Sequence, residues 1–489
     1  RAPAAPRPRP GRAPAAREAM ALKSLMLLVA AMCAARRPHQ NTTTTAAEVH
    51  CYTLRMSDTL EDGWDAGFAF VADMESGRIL HGPVGLLDGE HGVSDFCVAN
   101  GCRRLVVDGG LFPEQVAWSV GAVHGGAPWD AGLLFQNGEV TTCPAARGDR
   151  GRRAPADCPS AAPVPISTAA DLEVVLANQT AGTCLHVALG AGLAMPVDAE
   201  LVVPARCRVA IDGAGATLDG RGARRIFRVE HGGHLELRNL SLTSGSAFVG
   251  GCVLVAEDAT FVATDIVLAN CTSLVSGGAV FGLQWSKLAF KGASSVMNST
   301  AMYGGGLFSR GGVVELADQT TIRRCGAIKH GGGLYGSKAN VTIAGHTQLR
   351  DCVAERGGGF YAHQGTVTVA GNTQVRGCVA ERGGAAYVYE GAGTIAGHTQ
   401  VCDCVADHGG GVYAYEADVT IAGHTQVRDC NASMGGGAYF FGGVVGLAGQ
   451  ATIRRCESTK HGGGLAVYQA NVTIAGHAQV RDCVAGFGG

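Results

Sequence analysis

Histidine and cysteine recur at fixed intervals through the second half of the chain, so catalytic and metal-binding chemistry must both be considered. One set of histidines shares a single position of a repeated segment: His346, His398, His424 and His477. Asn372 and Gln450 occupy this position in other copies. A catalytic histidine needs one oriented set of partners, which a repeated position that accepts amides does not provide. We interpret these histidines as turn residues that offer a side-chain hydrogen bond, with metal binding by stacked histidines as the alternative.

Seven cysteines form a second regular set: Cys325, Cys352, Cys378, Cys404, Cys430, Cys456 and Cys483. Their spacing differs from that of a zinc site. If the copies stack as strands, neighbouring Cα atoms lie about 4.8 Å apart, which is within disulfide range. Parallel side chains nevertheless leave the Cβ atoms slightly too far apart. We therefore predict buried thiols that pack as small hydrophobic groups, with coil-to-coil disulfides as the alternative, and we predict no metal and no cofactor.

Paired glycines mark the start of each copy of the repeat: Gly250, Gly277, Gly304, Gly331, Gly357, Gly383, Gly409, Gly435, Gly462 and Gly488. They recur at a nearly constant interval, and each interval contains three short strand signals. A fixed period of this kind, about 26 residues, is typical of a solenoid. Three strands and three turns per coil predict an all-β protein, a right-handed parallel β-helix of about twelve coils.

Alternation along the strand after the glycines assigns its two faces. Small or apolar residues such as Val412 and Ala414 point inward, and aromatic residues alternate with them and point outward. The outward residues predicted to stack on sugar rings are Tyr361, Tyr387, Tyr389, Tyr413, Tyr415, Tyr439 and Phe441. Glu390 and Glu416 follow this strand as candidate hydrogen-bond acceptors. The alternative is an aromatic ladder that only stiffens the sheet.

Several segments resemble a known superfamily. Gly277-Gly278-Ala279-Val280-Phe281, Val296-Met297-Asn298-Ser299 and the stretch from Val209 to Gly222 are similar to repeats of polymorphic outer-membrane proteins and other right-handed parallel β-helix proteins of the pectin-lyase-like superfamily. The resemblance covers residues 167–489 and implies the fold. It leaves the activity open, because the superfamily contains both enzymes and adhesins.

Carboxylates are spread along the repeats rather than grouped. Polysaccharide lyases of this fold need carboxylates that hold Ca²⁺, and hydrolases need two or three carboxylates across a cleft. Here Asp351, Asp403, Asp429 and Asp482 recur near one turn. Asp212 and Asp219 each precede glycine, as turn residues do. We therefore assign no catalytic residue and favour a protein without enzymatic activity.

The N-terminal part divides into segments of different composition. Residues 1–19 are low in complexity, and residues 20–35 have the positive start, apolar run and small residues of a secretory signal peptide. Residues 51–143 begin and end in cysteine and contain short alternating runs, which predicts a small β-sandwich-like domain. Residues 144–166 are rich in Pro, Arg and Ala and are predicted to be a linker before the β-helix of residues 167–489. No stretch has the roughly 18 apolar residues of a transmembrane helix.

Secretion would expose the cysteines to an oxidising compartment. Within the β domain we predict the disulfides Cys97–Cys102 and Cys51–Cys143, although the sequence leaves other pairings open. Acceptor sites for N-glycosylation are predicted at Asn178, Asn239, Asn298, Asn340 and Asn471.

The predicted function is a secreted or cell-surface adhesin or glycan-binding scaffold, with an extracellular polysaccharide or cell-surface glycan as its partner. The alternative is a polysaccharide lyase or glycoside hydrolase that acts on uronic-acid polymers. The net charge of −2 and the 16% of charged residues give no reason to expect nucleic acid as a partner.

Overall fold

The computed structural model describes residues 49–58, 68–73, 79–85, 91–108, 116–126, 129–136, 139–142 and 162–487. The predicted leader, the predicted signal peptide, Cys143 and residues 144–161 of the predicted linker lie outside these ranges. No helix in the described part of the chain is both long and apolar enough to cross a membrane.

The N-terminal region is β-rich, as predicted. Its strands are β1 (Val49–Asp58), β2 (Phe68–Asp73), β3 (Ile79–Val84), β4 (His91–Ala99), β5 (Gly101–Asp108), β6 (Val116–Val120), β7 (Val123–Gly126), β8 (Trp129–Gln136) and β9 (Glu139–Thr142). They form two antiparallel sheets, with orders β4-β1-β6-β7 and β3-β2-β5-β8-β9. Leu54 and Trp118 of the first sheet share one buried cluster with Leu105 and Phe135 of the second, so the region has a core between its sheets.

The disulfide pairing differs from the prediction. Cys51 in β1 lies directly opposite Cys97 in the antiparallel neighbour β4, and the two form a disulfide with Cα atoms 4.0 Å apart. The predicted Cys51–Cys143 and Cys97–Cys102 pairs are therefore wrong. Cys102 lies in β5 of the other sheet and is itself disulfide-bonded. Strand pairing over a separation of 46 residues placed Cys51 beside Cys97, and the spacing of the cysteines does not show this register.

A short helix precedes the solenoid. Helix α1 (Ala169–Ala177) begins after Thr168, whose hydroxyl accepts a hydrogen bond from the Asp171 amide at 3.1 Å. Threonine followed three residues later by an acidic residue is a sequence pattern that favours such a helix start. The helix buries Leu172 and Leu176 in the main hydrophobic core. The preceding residues Val164–Ile166 were predicted to be linker but form a strand of the solenoid.

The remaining chain winds as a right-handed parallel β-solenoid with coils of about 26 residues, as predicted. A 23-stranded sheet, the long sheet, receives two strands from each regular coil. Its strands are β10 (Val164–Ile166), β11 (Cys184–Leu189), β12 (Ala194–Pro196), β14 (Arg208–Asp219), β16 (His234–Thr243), β19 (Thr260–Thr264), β20 (Val267–Ala269), β23 (Lys287–Lys291), β24 (Ser295–Met297), β27 (Val313–Leu316), β28 (Thr321–Arg323), β31 (Asn340–Ile343), β32 (Gln348–Arg350), β34 (Thr366–Val369), β35 (Gln374–Arg376), β37 (Ala392–Ile395), β38 (Gln400–Cys402), β40 (Asp418–Ile421), β41 (Gln426–Arg428), β44 (Val444–Leu447), β45 (Thr452–Arg454), β48 (Asn471–Ile474) and β49 (Gln479–Arg481).

An 11-stranded sheet, the aromatic sheet, receives one strand from each coil. Its strands are β13 (Leu201–Val203), β15 (Phe227–Val229), β18 (Val253–Val255), β22 (Val280–Gly282), β26 (Leu307–Arg310), β30 (Leu334–Ser337), β33 (Phe360–His363), β36 (Ala386–Tyr389), β39 (Val412–Tyr415), β43 (Ala438–Phe441) and β47 (Leu465–Tyr468).

A further short segment of each coil was not predicted. It forms a third sheet, made of β17 (Ser246–Val249), β21 (Thr272–Ser276), β25 (Thr300–Tyr303), β29 (Gly326–His330), β42 (Asn431–Met434), β46 (Glu457–His461) and β50 (Val484–Phe487). In the coils between β29 and β42 only isolated bridges continue it, through Val353, Val379 and Val405. The short, partly polar sequence of these segments carries no clear strand signal.

The paired glycines connect the third sheet to the aromatic sheet. Gly331, Gly357 and Gly383 have φ between 64° and 66°, a left-handed conformation that disfavours any residue with a Cβ atom. Inside the coils, apolar residues of the long sheet and the aromatic sheet form one continuous core. In β40, Val419 and Ile421 belong to this core and Thr420 is exposed, so alternation assigned the faces correctly.

The N-terminal β domain contacts the first coils directly. Arg104 forms an ion pair with the buried Glu257 at 2.6 Å. Phe70 and Val106 of the β domain belong to a second apolar cluster together with Leu254 on the outer side of the aromatic sheet.

Candidate functional site

Aromatic side chains occupy two outward positions of the aromatic sheet. The inner aromatic file consists of the residues Phe281, Phe308, Tyr335, Tyr361, Tyr387, Tyr413 and Tyr439, paired in register from coil to coil. The outer aromatic file lies two residues further along each strand and consists of Tyr389, Tyr415, Phe441 and Tyr468. The intervening residues belong to the solenoid core, so the predicted outward direction of the tyrosines is correct.

The inner aromatic file is not the solvent-exposed stripe that the sequence predicts. Tyr361 and Tyr387 are only 2% and 1% exposed, and Tyr413 is 6% exposed. One physical reason for this burial is the corner at which the third sheet meets the aromatic sheet. The residue before each pair of glycines lies against this file, as His330 does when it stacks on Tyr361 with ring centroids 4.7 Å apart. Tyr361, Tyr387 and Tyr413 thus form a second core and cannot contact a ligand.

Burial controls ionisation along this corner. Burial lowers the pKa of His330 well below its usual value and raises the pKa of Tyr361 well above its usual value. Both rings are therefore neutral across the physiological range. The packing of His330 on Tyr361 was not predicted from the sequence.

The outer aromatic file is accessible. Tyr389, Tyr415 and Phe441 are half-buried, and Tyr468 is 53% exposed. The rings of Tyr389 and Tyr415 are parallel within 5°, with centroids 5.2 Å apart, and those of Tyr415 and Phe441 are parallel within 4° at 4.9 Å. Each ring therefore turns its faces toward the rings of adjacent coils. A ligand at this surface would meet ring edges and tyrosine hydroxyls, which differs from the predicted stacking of sugars on ring faces.

Two carboxylates flank the outer aromatic file at the turn that follows each strand. Glu390 and Glu416 are exposed and both have φ of 47°, so the turn fixes their positions beside Tyr389 and Tyr415. Gln364 from the previous coil donates a hydrogen bond to Glu390 at 2.8 Å. This hydrogen bond is the main cause of the lowered pKa of Glu390, so the Glu390 carboxylate is ionised at neutral pH. Burial and the neighbouring Glu390 raise the pKa of Tyr389 to about 12, so its hydroxyl keeps its proton.

The repeated histidines lie in exposed turns between the two strands of the long sheet. His346, His398, His424 and His477 are all exposed, and the rings of His398 and His424 stack with centroids 4.7 Å apart. A buried threonine follows the first three of these histidines, and the hydroxyl of Thr399 donates to the Ala396 carbonyl at 2.6 Å. Within the described ranges, no group of three or more His, Cys, Asp or Glu side chains is arranged to hold a metal ion.

The cysteine file consists of free thiols, as predicted. Cys325, Cys352, Cys378, Cys404, Cys430 and Cys456 are buried, and Cys483 is partly exposed. The Cys404 thiol donates to the Cys402 carbonyl at 3.3 Å, and burial raises its pKa well above the usual value. Cys402 replaces an outward arginine of the repeat, a position that predicts an exposed thiol, but it is only 3% exposed.

The aspartates belong to turns. Asp351, Asp403, Asp429 and Asp482 have φ between 55° and 57° at the end of the second long-sheet strand. Asp212 and Asp219 each accept a hydrogen bond from the amide two residues later, as turn residues do.

The predicted glycosylation sites and one further disulfide are not part of the aromatic files or the cysteine file. The predicted acceptor residues Asn178, Asn239, Asn298, Asn340 and Asn471 are all exposed, and their glycosylation stays a prediction. The disulfide Cys252–Cys271 in the early coils was not predicted, because neither cysteine belongs to the regular cysteine file.

Comparisons with known proteins assign this chain to no protein family. No protein-family model and no curated protein matches the chain. Among solved structures, the chain is similar to the catalytic domain of a GH87 alpha-1,3-glucanase in complex with tetrasaccharides, with 8% identity, 89% of this chain and 90% of that chain covered, and a TM-score of 0.21. The same domain in complex with nigerose gives 8% identity, the same coverage and a TM-score of 0.20. Likeness at this level carries no information about function.

Proposed function

We propose that this chain is a non-catalytic extracellular scaffold that binds an extended glycan along the outer aromatic file. The observation that carries the proposal is an accessible aromatic residue in each of four successive coils, with a carboxylate beside it in two of them. Tyr389 and Tyr415 present hydroxyls, and Glu390 and Glu416 present carboxylates beside them. A polymer of similar sugars offers hydroxyls at regular intervals, so weak contacts at successive coils add along its length.

The disulfides support the extracellular part of the proposal. Cys51–Cys97 and Cys252–Cys271 are of a kind that persists in oxidising compartments. The outer aromatic file runs along the solenoid axis, because its members pair in register between adjacent coils. A bound polymer would therefore lie parallel to this axis. The scaffold contributes rigidity, which lowers the entropic cost of ordering the binding groups.

The alternative function, a lyase or hydrolase of uronic-acid polymers, receives no specific support from the described residues. The regular aspartates occupy turns, and Asp403 and Asp429 pair with arginine at 3.0 and 2.7 Å. The ionised Glu390 would also repel a uronic-acid polymer at the outer aromatic file.

The test is affinity gel electrophoresis against soluble neutral polymers, with hydroxyethyl cellulose, laminarin and dextran in the gels. The double variant Tyr389→Phe/Tyr415→Phe removes two hydroxyls and keeps the ring stack, since Phe441 already occupies this file. Each lost hydrogen bond is worth about 1 kcal/mol, so we expect retardation to weaken by roughly tenfold or more.

Tyr387→Phe is the matched control, because it removes a hydroxyl from the buried inner aromatic file and should leave retardation unchanged. Equal retardation of the double variant and the parent would refute the use of this face. If no polymer retarded the parent protein, and if the protein bound no glycan on a wider array, glycan binding itself would be refuted. Release of unsaturated uronic acid or of reducing ends by the parent protein would support the enzyme instead.

A further inference from the structure

A file of arginines runs along a different face of the solenoid. The second long-sheet strand of each coil ends in an outward residue, and these residues pair in register over seven coils. Six of the seven are arginine: Arg323, Arg350, Arg376, Arg428, Arg454 and Arg481. Cys402 interrupts the file between Arg376 and Arg428. Successive guanidinium groups therefore recur at roughly the 4.8 Å spacing of neighbouring strands, or at twice that spacing across the gap.

Carboxylates neutralise this file only in part. The turn after each of these strands adds Arg324 and Arg455, and it also carries the four turn aspartates. Eight arginines thus face four aspartates, an excess of four positive charges on a chain whose net charge is −2. Asp403 pairs with Arg376 at 3.0 Å, and Asp429 pairs with both Arg428 and Arg455. Within the described part of the chain, Arg350 forms no ion pair.

The residues beside the arginines are neutral and polar. Glutamines form a parallel file two positions earlier on the same outward face: Gln348, Gln374, Gln400 and Gln426. Arg454 donates to the Gln426 amide oxygen at 3.1 Å, so the two files lie within hydrogen-bond distance of each other. No aromatic residue lies in strands β28, β32, β35, β38, β41, β45 or β49. These strands therefore offer none of the Tyr, Phe or Trp side chains on which single-stranded nucleic acids stack.

We infer that this arginine–glutamine face binds a linear anionic polysaccharide that lies along the solenoid axis. Guanidinium groups suit sulfate and carboxylate groups because they combine a permanent charge with a fork of donors, and glutamine amides can bond sugar hydroxyls between the charges. The like charges of neighbouring arginines repel one another, and a bound polyanion relieves that repulsion. The face lies on the long sheet, so this ligand is distinct from the neutral glycan proposed for the outer aromatic file.

The first test uses heparin-agarose with a salt gradient and the full chain. Arg350→Gln/Arg376→Gln removes both charges and leaves shorter, polar side chains. Because Arg350 and Arg376 are exposed, the fold should persist. We expect elution at lower salt, and a slope of log affinity against log salt that is smaller by about two. Arg221→Gln is the matched control, because Arg221 is also exposed but lies in an early turn away from this face.

The second test replaces the cysteine that interrupts the file of arginines. Cys402→Arg would extend the file to seven consecutive arginines, since residue 402 pairs with Arg376 on one side and Arg428 on the other. We expect this variant to elute from heparin at higher salt than the parent. Circular dichroism melting curves check that each variant is folded. An added charge also strengthens nonspecific attraction to heparin, so this gain supports the inference only together with the loss in Arg350→Gln/Arg376→Gln and the unchanged elution of Arg221→Gln.

Dextran sulfate and polygalacturonate, used as competitors, distinguish sulfate from carboxylate as the group that is bound. Competition by either polymer supports the inference. Equal elution of the parent and Arg350→Gln/Arg376→Gln would overturn it, and so would an equal shift in Arg221→Gln. Competition by duplex DNA as strong as that by the polysaccharides would overturn the assignment to a glycan. Tyr389→Phe/Tyr415→Phe should elute with the parent, so this test and that of the outer aromatic file fail independently.

Discussion

Replacing Gly357 by alanine is expected to destabilise the solenoid much more than replacing Gly377, although both glycines have φ of 64°. A Cβ atom on Gly357 would overlap the carbonyl oxygen of Phe360, and it would lie 2.8 Å from the Phe360 carbonyl carbon and 3.0 Å from Cβ of Tyr361. These atoms belong to the strand that follows and cannot rotate away. On Gly377 the nearest atom is Oδ1 of Asp351 at 2.7 Å, and the next contacts are at 3.9 Å.

The two substitutions share the cost of a left-handed alanine, about 1 to 2 kcal/mol. Gly377→Ala should cost little more, because the Asp351 carboxylate can move and neighbouring coils already carry aspartate at this position. Gly357→Ala must also displace backbone in a tightly packed corner, which adds about 1 to 3 kcal/mol. We therefore expect total losses in the free energy of unfolding of about 1 to 2 kcal/mol for Gly377→Ala and about 2 to 5 kcal/mol for Gly357→Ala.

Urea denaturation followed by far-ultraviolet circular dichroism measures both losses, and hydrogen exchange shows whether the loss is local to the coils of Gly357. The comparison separates the effect of packing from that of φ, because φ is the same at the two glycines. If Gly357→Ala unfolded at the same urea concentration as Gly377→Ala, close packing at this corner would not be the reason that it requires glycine.

Three further expectations concern thiols, pH and cross-links. Thiols such as Cys404 should not react with Ellman's reagent below the unfolding midpoint, and Cys483 should react first; rapid reaction of several thiols in the native protein would contradict their burial. Burial lowers the pKa of His363 to about 4, whereas unfolded histidine titrates near 6.5. The unfolded state therefore takes up the proton first, and stability should decrease by about 3 kcal/mol as pH falls from 6.5 to 4. Urea midpoints across this range should be flatter for His363→Gln, and an unchanged slope would exclude His363 as the cause. Replacing both Cys252 and Cys271 by alanine opens a link across 19 residues and should cost about 3 kcal/mol in thermal or urea unfolding without reductant; an unchanged midpoint would contradict a stabilising role of this disulfide.

The solenoid could be predicted from the sequence because its determinants are local and repeated. A nearly constant period, paired glycines and strand alternation each indicate the same coil, and the faces of β40 follow from alternation alone. The free thiols were also predictable, since parallel stacking disfavours bridges between Cβ atoms.

The exposure of the tyrosines could not be predicted in the same way. Alternation tells which side of a strand Tyr361 occupies, but what covers that side depends on the corner made with the third sheet and on side chains such as His330. The Cys51–Cys97 disulfide depends on the register of two strands that are 46 residues apart in sequence. Both failures concern contacts between distant segments, about which a local pattern carries no information.

The pairing of each coil with only the coil before and the coil after has a consequence for how such a chain can change in size. Removing or duplicating one whole coil, such as residues 383–408, would keep the strands of neighbouring coils in register and change only the length of the solenoid. A change of half a unit would oppose an aromatic strand to a long-sheet strand. The solenoid can therefore change its length only by whole coils, and each added coil extends the outer aromatic file and the arginine file by one position.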